Sequence, residues 1–413
     1  MALNKLICFL LLLLDSGKPN FGSTLSDVSR LYTKMVMDYN KKIRPGNDQS
    51  VASQINVSFN LGAIQEFDEV NGKYAVIGFF QITWYDSRMT WNPLDYNDTN
   101  TMLFLQDDIW KPTLVITNPF SKIEKIGKDF MTVRYSSNGF AYWTPGEILI
   151  SSCSVDITYF PFDEQICTIR LMAWGTSSNE IVLLSSSDIN MNYYLEHGSW
   201  KINSASAKSI VDGSIGSSFI DMSISMKRRP GFYVVNIVLP VIFLMLLNAC
   251  VFVLPPNSGE RVSYAITVLL AIAVFLTLIG DNLPKTSEPM SLLSYFLMFG
   301  LVFSSLICFC TILCHRLQLK DKNRHIPSFL KRLVLCCRPD KPRTEREWSI
   351  ILNNTSNRQN SNVNGNESLT TNDRNDVSWN DICLTLNTIF LWVSFGGISV
   401  SALLFFVFVT KSI

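Results

Sequence analysis

One apolar stretch of the sequence carries hydroxyl and aliphatic side chains at helical spacing. Hydroxyl oxygens can replace part of an ion's hydration shell, and a narrow ring of aliphatic side chains excludes water. The residues are four, three, four, four and three positions apart, which places them on one face of a helix: Ser263, Thr267, Leu270, Val274, Leu278 and Asp281. Because a single helix cannot enclose water, several copies would have to surround a common axis. The spacing is compatible with a helix that lines an ion pore.

The same spacing also fits an ordinary membrane helix, in which serine and threonine hydroxyls donate to the helix's own carbonyl oxygens. Taken alone, the stripe favours this simpler interpretation. Acidic residues at both ends favour the pore instead, because rings of carboxylates attract cations. Glu260 lies in the tripeptide Gly259-Glu260-Arg261 at one end, and Asp281 lies at the other. With these flanks the sequence predicts a cation-selective pore helix.

The sequence carries no signature of a different chemistry. His197, His315 and His325 are the three histidines and lack metal-ligand spacing, and we find no phosphate-binding glycine-rich loop, nucleophile elbow or zinc signature. Asp107-Asp108 could form a catalytic pair, but a solvated loop or a surface cation site explains two adjacent acids better. The net charge of +1 gives no indication of nucleic-acid binding. We therefore expect no enzyme, cofactor or bound metal.

Apolar segments indicate a membrane domain, because each is close to the roughly 20 residues that a helix needs to cross the hydrocarbon core. They cover 232–254, 262–279, 290–314 and 382–410. An even number of spans puts both termini outside the cell. The basic residues between Arg316 and Arg338 agree with a cytoplasmic segment between the third and fourth spans.

The predicted domains follow from these segments. Residues 1–22 resemble a secretory signal peptide, since their apolar run is too short for a membrane anchor. We assign the rest to an extracellular β-sandwich, three membrane helices, a partly disordered cytoplasmic loop, and a fourth membrane helix with an extracellular end: 23–229, 230–314, 315–380 and 381–413. Short runs of alternating polarity predict the sandwich, after an early helix over 25–39. Sequons at Asn56 and Asn97 predict two N-linked glycans.

Two cysteines, Cys153 and Cys167, bracket thirteen residues that read SVDITYFPFDEQI. Followed by three closely spaced apolar spans and a fourth after a polar gap, this segment resembles the Cys-loop family of pentameric ligand-gated ion channels, in its nicotinic acetylcholine receptor branch. The resemblance implies a Cys153–Cys167 disulfide, which the secretory pathway permits, and an immunoglobulin-like sandwich. It also implies a homo- or heteropentamer in the plasma membrane, with a small-molecule ligand at subunit interfaces.

The resemblance also assigns roles in ion conduction and coupling. Leu270 matches the family's gate leucine, and Glu260 matches the acid at the inner mouth of a channel for monovalent cations, with calcium as a further candidate. The apolar tip Phe160-Pro161-Phe162 is expected to press on the linker over 281–288. Arg228 is expected to form a partly buried ion pair with Glu69, although interfacial snorkelling is the simpler alternative for an arginine before a membrane helix.

A ligand site follows from aromatic positions. The family binds a quaternary amine in an aromatic box, and Trp174 falls at the position of its central tryptophan. A core tryptophan of the sandwich is an equally good alternative for Trp174. Phe79 matches an aromatic residue on the complementary face. Ala141 and Trp143 fall on the facing strand, at positions that also line the site.

Other positions depart from the family's aromatic box. Thr117 stands where a tyrosine is expected, Val211 replaces a second tyrosine, and Phe219 keeps a ring at a third position. The loop over 204–219 also lacks the adjacent cysteine pair that marks nicotinic α subunits. Each lost aromatic contact weakens amine binding by about 0.5–2 kcal/mol. The sequence therefore predicts a non-α type of subunit and leaves the ligand open.

These observations predict one subunit of a pentameric ligand-gated cation channel. Ligand binding at extracellular interfaces would open a pore lined by the second membrane helix. The alternative is a non-conducting binding or accessory subunit that needs partner subunits to form a channel. A narrower version is an obligate heteromer subunit that contributes only a complementary face, through Phe79 and Trp143.

Overall fold

A computed structural model describes residues 23–128, 130–186, 188–255, 259–280, 290–319, 326–337 and 378–410. These residues form two compact units. The first unit contains the described residues up to Ile157 together with Phe162–Pro230. The second contains Thr158–Pro161 and the described residues from Gly231 onward. The predicted signal peptide, Asp281, the linker over 281–288 and most of the predicted cytoplasmic loop lie outside the described residues.

The first unit begins with helix α1, Leu25–Met37, whose first turn is capped by the Thr24 hydroxyl as it accepts a hydrogen bond from the Asp27 amide. Strands with alternating buried and exposed residues follow, which is the period-two pattern of a sheet with one face in a core. Among the described residues they are β1 Ser53–Asp68, β2 Lys73–Thr90, β3 Thr101–Leu105, β4 Leu114–Ile116, β5 Thr132–Ser136, β6 Asn138–Trp143, β7 Gly146–Ser152, β8 Glu164–Ala173, β9 Ile181–Ser185, β10 Trp200–Asp212 and β11 Ser217–Arg228.

The strands build two sheets. The first has the order β3-β5-β6-β2-β1-β9, with β7 also paired to β2, and the second has the order β10-β11-β8-β4. Large side chains such as Trp84 and Trp143 fill the core between the sheets, and each contributes about 1.5–3 kcal/mol or more by leaving water. The disulfide between Cys153 and Cys167 links the residue after β7 to β8. The predicted N-terminal helix, β-sandwich and disulfide are confirmed.

A buried carboxylate anchors the segment after α1 to the first sheet. Asp86 is fully buried and accepts a hydrogen bond from the Tyr39 hydroxyl at 2.7 Å. Arg88 donates to the same carboxylate from Nε and Nη2, at 2.8 and 2.7 Å. Burial, together with the negative charge of Asp86, raises the pKa of Tyr39. The tyrosine therefore stays a neutral donor that satisfies Asp86.

The second unit is helical. Its long helices are α2 Gly231–Val253, α3 Glu260–Gly280, α4 Leu292–Gln318 and α6 Trp379–Thr410, and α5 is the short helix Ser328–Cys337. The four long helices are apolar enough to cross a membrane, which confirms the predicted membrane bundle. Helix α2 contains a wider π-helical turn over Val234–Val238, which ends two residues before Pro240. Such turns accommodate the hydrogen bond that a proline cannot make.

A buried guanidinium connects three helices inside the second unit. Arg261 of α3 is 2% exposed, and its Nη2 donates to Asn387 Oδ1 of α6. The amide of Asn387 in turn donates to the carbonyl oxygen of Phe252 in α2. The guanidinium also lies 5.4 Å from the centre of the Phe252 ring. Polar side chains inside a bundle pair with one another because lipid offers no alternative partner.

The close approach of β1 and β2 allows a test of the packing within the β-sandwich. A Cβ on Gly78 of β2 would overlap the Asn60 carbonyl oxygen and the Phe59 ring. We expect Gly78→Ala to lower the free energy of unfolding of this unit by roughly 1–3 kcal/mol, as overpacking of a core usually does. The measurement is the thermal melting temperature of the full chain in detergent.

Gly146→Ala is the matched control, because Gly146 lies on the neighbouring strand β7. The nearest atom to a Cβ there is the Gly78 carbonyl oxygen at 3.9 Å, an ordinary contact. Its melting temperature should stay close to that of the parent chain. Equal shifts for the two substitutions would contradict the packing described here.

Candidate functional site

The second sheet brings three predicted ligand-site residues together. Trp174 directly follows β8, Thr117 directly follows β4, and Phe219 lies in β11. The Thr117 amide donates to the Arg170 carbonyl at 2.9 Å, and the Trp174 amide donates to the Thr113 carbonyl at 2.8 Å. Trp174 is 49% exposed. Trp174 is therefore a surface residue, and its interpretation as a core tryptophan is wrong.

A salt bridge that the sequence analysis missed borders this cluster. Arg170 Nε and Nη2 donate to the two carboxylate oxygens of Asp221 at 2.6 and 2.7 Å, and these hydrogen bonds raise the pKa of Arg170. The guanidinium lies 5.6 Å from the centre of the Phe219 ring, which is largely buried. Phe219 therefore already has a cation beside it, and the open aromatic surface belongs to Trp174. Residues four apart, such as 170 and 174, share a face of an extended strand, so the spacing could have placed Arg170 beside Trp174, although it gives no indication of Asp221.

The burial of two side chains in strand β6 contradicts one prediction. Ala141 and Trp143 are both 0% exposed and belong to the sandwich core, so the prediction that they line a surface site is wrong. The neighbouring Tyr142 and Thr144 are exposed instead. Because strand side chains alternate between faces, an offset of one residue moves the whole set from the surface to the core.

Phe79 lies on the same outer face of the first sheet as Tyr142. It is half-buried because its ring packs against Tyr193, with ring centres 5.3 Å apart. A hollow of about 440 Å³ lies beside the two rings and is also bordered by Ile77 and Ile148. An aromatic surface is thus available at the position where the resemblance expects a complementary face.

Arg228, the last residue of β11, is the centre of a buried ion cluster. Its Nη1 lies 2.7 Å from Glu69 Oε1, so the predicted contact is present. Its Nε and Nη2 also donate to Asp163 at 2.7 and 3.0 Å. The Arg228 and Asp163 side chains are 1% and 2% exposed, and the Trp200 ring lies 4.3 Å from the guanidinium. Asp163 was not predicted, because only the folded loop brings it to Arg228.

The predicted tip residues are divided between the two units. Phe160 and Pro161 belong to the second unit, whereas Phe162 belongs to the first. The Phe160 ring packs edge-on against the Tyr233 ring, with centres 5.0 Å apart. The preceding Thr158 accepts a hydrogen bond from the Leu292 amide at 2.9 Å. Within the second unit, Phe160 therefore contacts α2, and Thr158 contacts the first residue of α4.

Helix α3 presents two different faces. The predicted stripe residues are exposed within the subunit: Ser263, Thr267, Leu270, Val274 and Leu278. The buried residues are Arg261, Ala265, Val268, Ile272 and Ile279. At 3.6 residues per turn the two sets lie about half a turn apart. The Thr267 hydroxyl donates to the Ser263 carbonyl at 2.8 Å, as the simpler interpretation expects, yet its oxygen can still accept a hydrogen bond. Glu260 is exposed at the start of the helix.

Comparison with known proteins identifies the family. Residues 28–230 match the neurotransmitter-gated ion-channel ligand binding domain, and residues 237–384 match the neurotransmitter-gated ion-channel transmembrane region. This chain belongs to the neurotransmitter-gated ion-channel family. The Trp174 cluster and Phe79 lie in the first matched region, and α3 lies in the second. The family consists of ion channels, which agrees with the expectation that the chain is not an enzyme.

Nicotinic receptor subunits are among the curated relatives. The neuronal acetylcholine receptor subunit alpha-6 of Homo sapiens is 32% identical over 315 residues, which cover 74% of this chain and 63% of the relative. Subunit alpha-3 of Homo sapiens is 31% identical, covering 79% and 65%, and subunit delta of Xenopus laevis is 28% identical, covering 79% and 68%. The chain thus spans less than two thirds of the length of the alpha-6 relative.

The buried cluster at the end of β11 gives a second test. We expect Arg228→Gln to cost about 3–5 kcal/mol of stability, because Asp163 would keep a buried charge without its partner. The measurement combines surface labelling of the expressed chain with its melting temperature in detergent.

Arg229→Gln is the matched control for this substitution. Its ion pair with Glu196 joins side chains that are 44% and 77% exposed, and exposed pairs contribute little. Similar losses for both arginines would show that the buried cluster has no special role in stability.

Proposed function

We propose that the chain is one subunit of a pentameric ligand-gated cation channel in the plasma membrane. We place the first unit, the β-sandwich, outside the cell and call it the extracellular unit. A ligand bound between the extracellular units of two neighbouring subunits would shift an equilibrium between a closed and an open pore. Both termini would lie outside the cell, since four spans keep them on the same side, and the permeant ions would be monovalent cations, with calcium as a further candidate. Family membership supports this proposal, and the resemblance to nicotinic receptor subunits supports its cation-selective form.

The exposed stripe of α3 is the observation that carries the proposal. In a single subunit it combines two hydroxyls with three aliphatic side chains on the face opposite the helices that bury α3. Five copies around an axis would form rings of hydroxyls near Glu260 and rings of aliphatic side chains around Leu270 and Val274. The aliphatic rings would stop ions by excluding water when the pore is narrow. Glu260 would favour cations at the inner mouth, and the role of Asp281 at the outer mouth stays a prediction.

The ligand site would form between two copies of the extracellular unit. One copy would contribute Trp174, with Thr117 and the edge of Phe219 beside it. Its neighbour would contribute Phe79, and we replace Ala141 and Trp143 by the exposed Tyr142 and Thr144 in this role. A cationic ligand could use the open face of Trp174, but the Arg170 guanidinium beside Phe219 disfavours a second cation close to that ring. We therefore expect a small ligand whose cationic group is directed toward Trp174.

Coupling would use the two contacts at the cysteine-bracketed loop. Phe160 packs on Tyr233 within the second unit, and Asp163, three residues later, binds Arg228 within the first unit. A shift of this loop on ligand binding would thus be transmitted to α2 through Tyr233. Glu69 lies in the turn between β1 and β2, and its ion pair with Arg228 would keep this turn next to the arginine.

A non-conducting accessory subunit is the second candidate. The surface around Trp174 favours this candidate, because Thr117 and Val211 stand where two aromatic residues are expected. In addition, the Arg170 guanidinium already lies beside the Phe219 ring. Such a subunit would depend on partner subunits for ligand binding. The pore stripe favours the conducting form, since an accessory role would not require hydroxyls beside Glu260.

Recording from cells that express only Leu270→Thr separates these candidates without an agonist. A threonine at the predicted gate should hydrate the pore and produce a standing sodium and potassium current. Leu403→Thr in α6 is the matched control, because Leu403 and Leu270 are similarly exposed, at 65% and 63%. Surface labelling verifies expression. If cells with a strong surface signal for Leu270→Thr show no standing current, the result would favour the accessory subunit.

The selectivity for cations over anions is tested in the same Leu270→Thr variant, whose pore is expected to conduct without an agonist. Adding Glu260→Ala to Leu270→Thr should move the reversal potential in a sodium chloride gradient toward zero, because the ring of carboxylates at the inner mouth is lost. Glu196→Ala, which removes an exposed acid of the extracellular unit, is the control. A reversal potential that does not move would contradict the placement of Glu260 at the pore.

A further inference from the structure

Asn56, the acceptor of one predicted sequon, lies within strand β1 and not in a loop. Its side chain is exposed on the outer face of the first sheet, while Ile55 and Val57 on either side are buried in the core. Strand β1 bonds to β2 on one side and to β9 on the other. A sugar attached to Asn56 would therefore start over the surface of the sheet.

The surroundings of Asn56 form a hollow of about 500 Å³, within the roughly 300–1,000 Å³ of typical small-molecule sites. Asn56 pairs with Thr83 of β2, and Thr83 pairs with Tyr142 of β6, so the three side chains form one row across the sheet. The hollow has apolar surface, to which Val57 and Ile82 contribute, and it is also bordered by hydroxyl and amide side chains and one exposed ring: Ser58, Gln81, Thr83, Tyr142, Ser185 and Ser186.

This composition suits a sugar. N-acetylglucosamine offers hydroxyls and an amide to the polar lining, and the apolar C–H face of its ring can stack on an aromatic side chain such as Tyr142. The remaining sugars would leave through the open side of the hollow, because the hollow is a surface feature and not an enclosed cavity. The acceptor of the other predicted sequon, Asn97, lies in a left-handed turn at φ 51° after a short 3₁₀ helix.

We propose that Asn56 carries an N-linked glycan whose first sugars lie in this hollow, beside the part of the outer face that carries Phe79. In the modification a lipid-linked oligosaccharide transfers its sugar chain to Asn56. The Asn56 Nδ2–C1 bond forms, the bond from C1 to the lipid diphosphate breaks, and the amide loses one proton.

The position of the glycan has a consequence for ligand access, and this part rests on the proposed function. Phe79 pairs with Asn60, four residues along β1 from Asn56. At about 3.3 Å per residue the two positions are roughly 13 Å apart, and Gln81 lies between them on the outer face. The glycan would then form one wall of the ligand site on the complementary face and exclude large ligands from that side.

The experiment measures shielding by the glycan on intact cells. Gln81→Cys places a thiol in the hollow, and the rate of its reaction with a membrane-impermeant biotin thiosulfonate is measured. The two cysteines of the described extracellular unit form a disulfide, so they do not react. We expect Asn56→Gln to raise the rate several-fold, and Asn97→Gln to leave it unchanged. Ile148→Cys, at the other hollow on the same face, should react equally fast with either glycan state.

Two further measurements keep the inference open to refutation. Enzymatic removal of the glycans from the folded Gln81→Cys chain should raise the rate as Asn56→Gln does, even where that variant folds poorly. Mass spectrometry of the peptide that contains Asn56 should show the sugar. An unmodified Asn56, or an equal rate with and without its glycan, would overturn the proposal. Shielding in a chain that conducts no current would leave this inference standing and count only against the proposed channel.

Discussion

The buried charge of Arg228 is the constraint on which the extracellular unit depends. A guanidinium taken out of water costs several kcal/mol unless ionised partners surround it. Its partners, Asp163 and Glu69, lie 65 and 159 residues away in the sequence. The cysteine-bracketed loop, the turn after β1 and the end of β11 must therefore all be in place before the charge is satisfied. The same contact fixes where the chain leaves the sandwich, since Pro230 follows two residues later.

Local patterns in the sequence predicted most of the architecture, because apolar length and polarity period are properties of short segments. The phase of a strand was harder to predict. In β6 the exposed Phe140 and Tyr142 are as aromatic as the buried Trp143, so hydrophobicity could not tell which set faces the core. The Arg170–Asp221 pair was missed for a different reason. Its partners are 51 residues apart, and only the pairing of β8 with β11 places them side by side.

The two faces of the extracellular unit differ in chemistry. The surface around Trp174 combines one open ring with a neutralised pair of charges. The outer face of the first sheet is more aromatic, and Tyr85 and Phe140 pack there with ring centres 5.4 Å apart although both are exposed. Large exposed rings on a sheet usually indicate an interaction surface. A subunit with such different faces is suited to head-to-tail contacts that close into a ring.

The contact between Arg261 and Asn387 has a consequence for how the chain is made. The acceptor is encoded 126 residues after the arginine. During synthesis α3 thus enters the translocation machinery with a cation whose mature neighbour has not yet been translated. Charged groups within membrane segments are unfavourable until they find partners. The final packing at this end of α3 can therefore form only after α6 has been made. A chain that ends before residue 387 would lack the acceptor for Arg261.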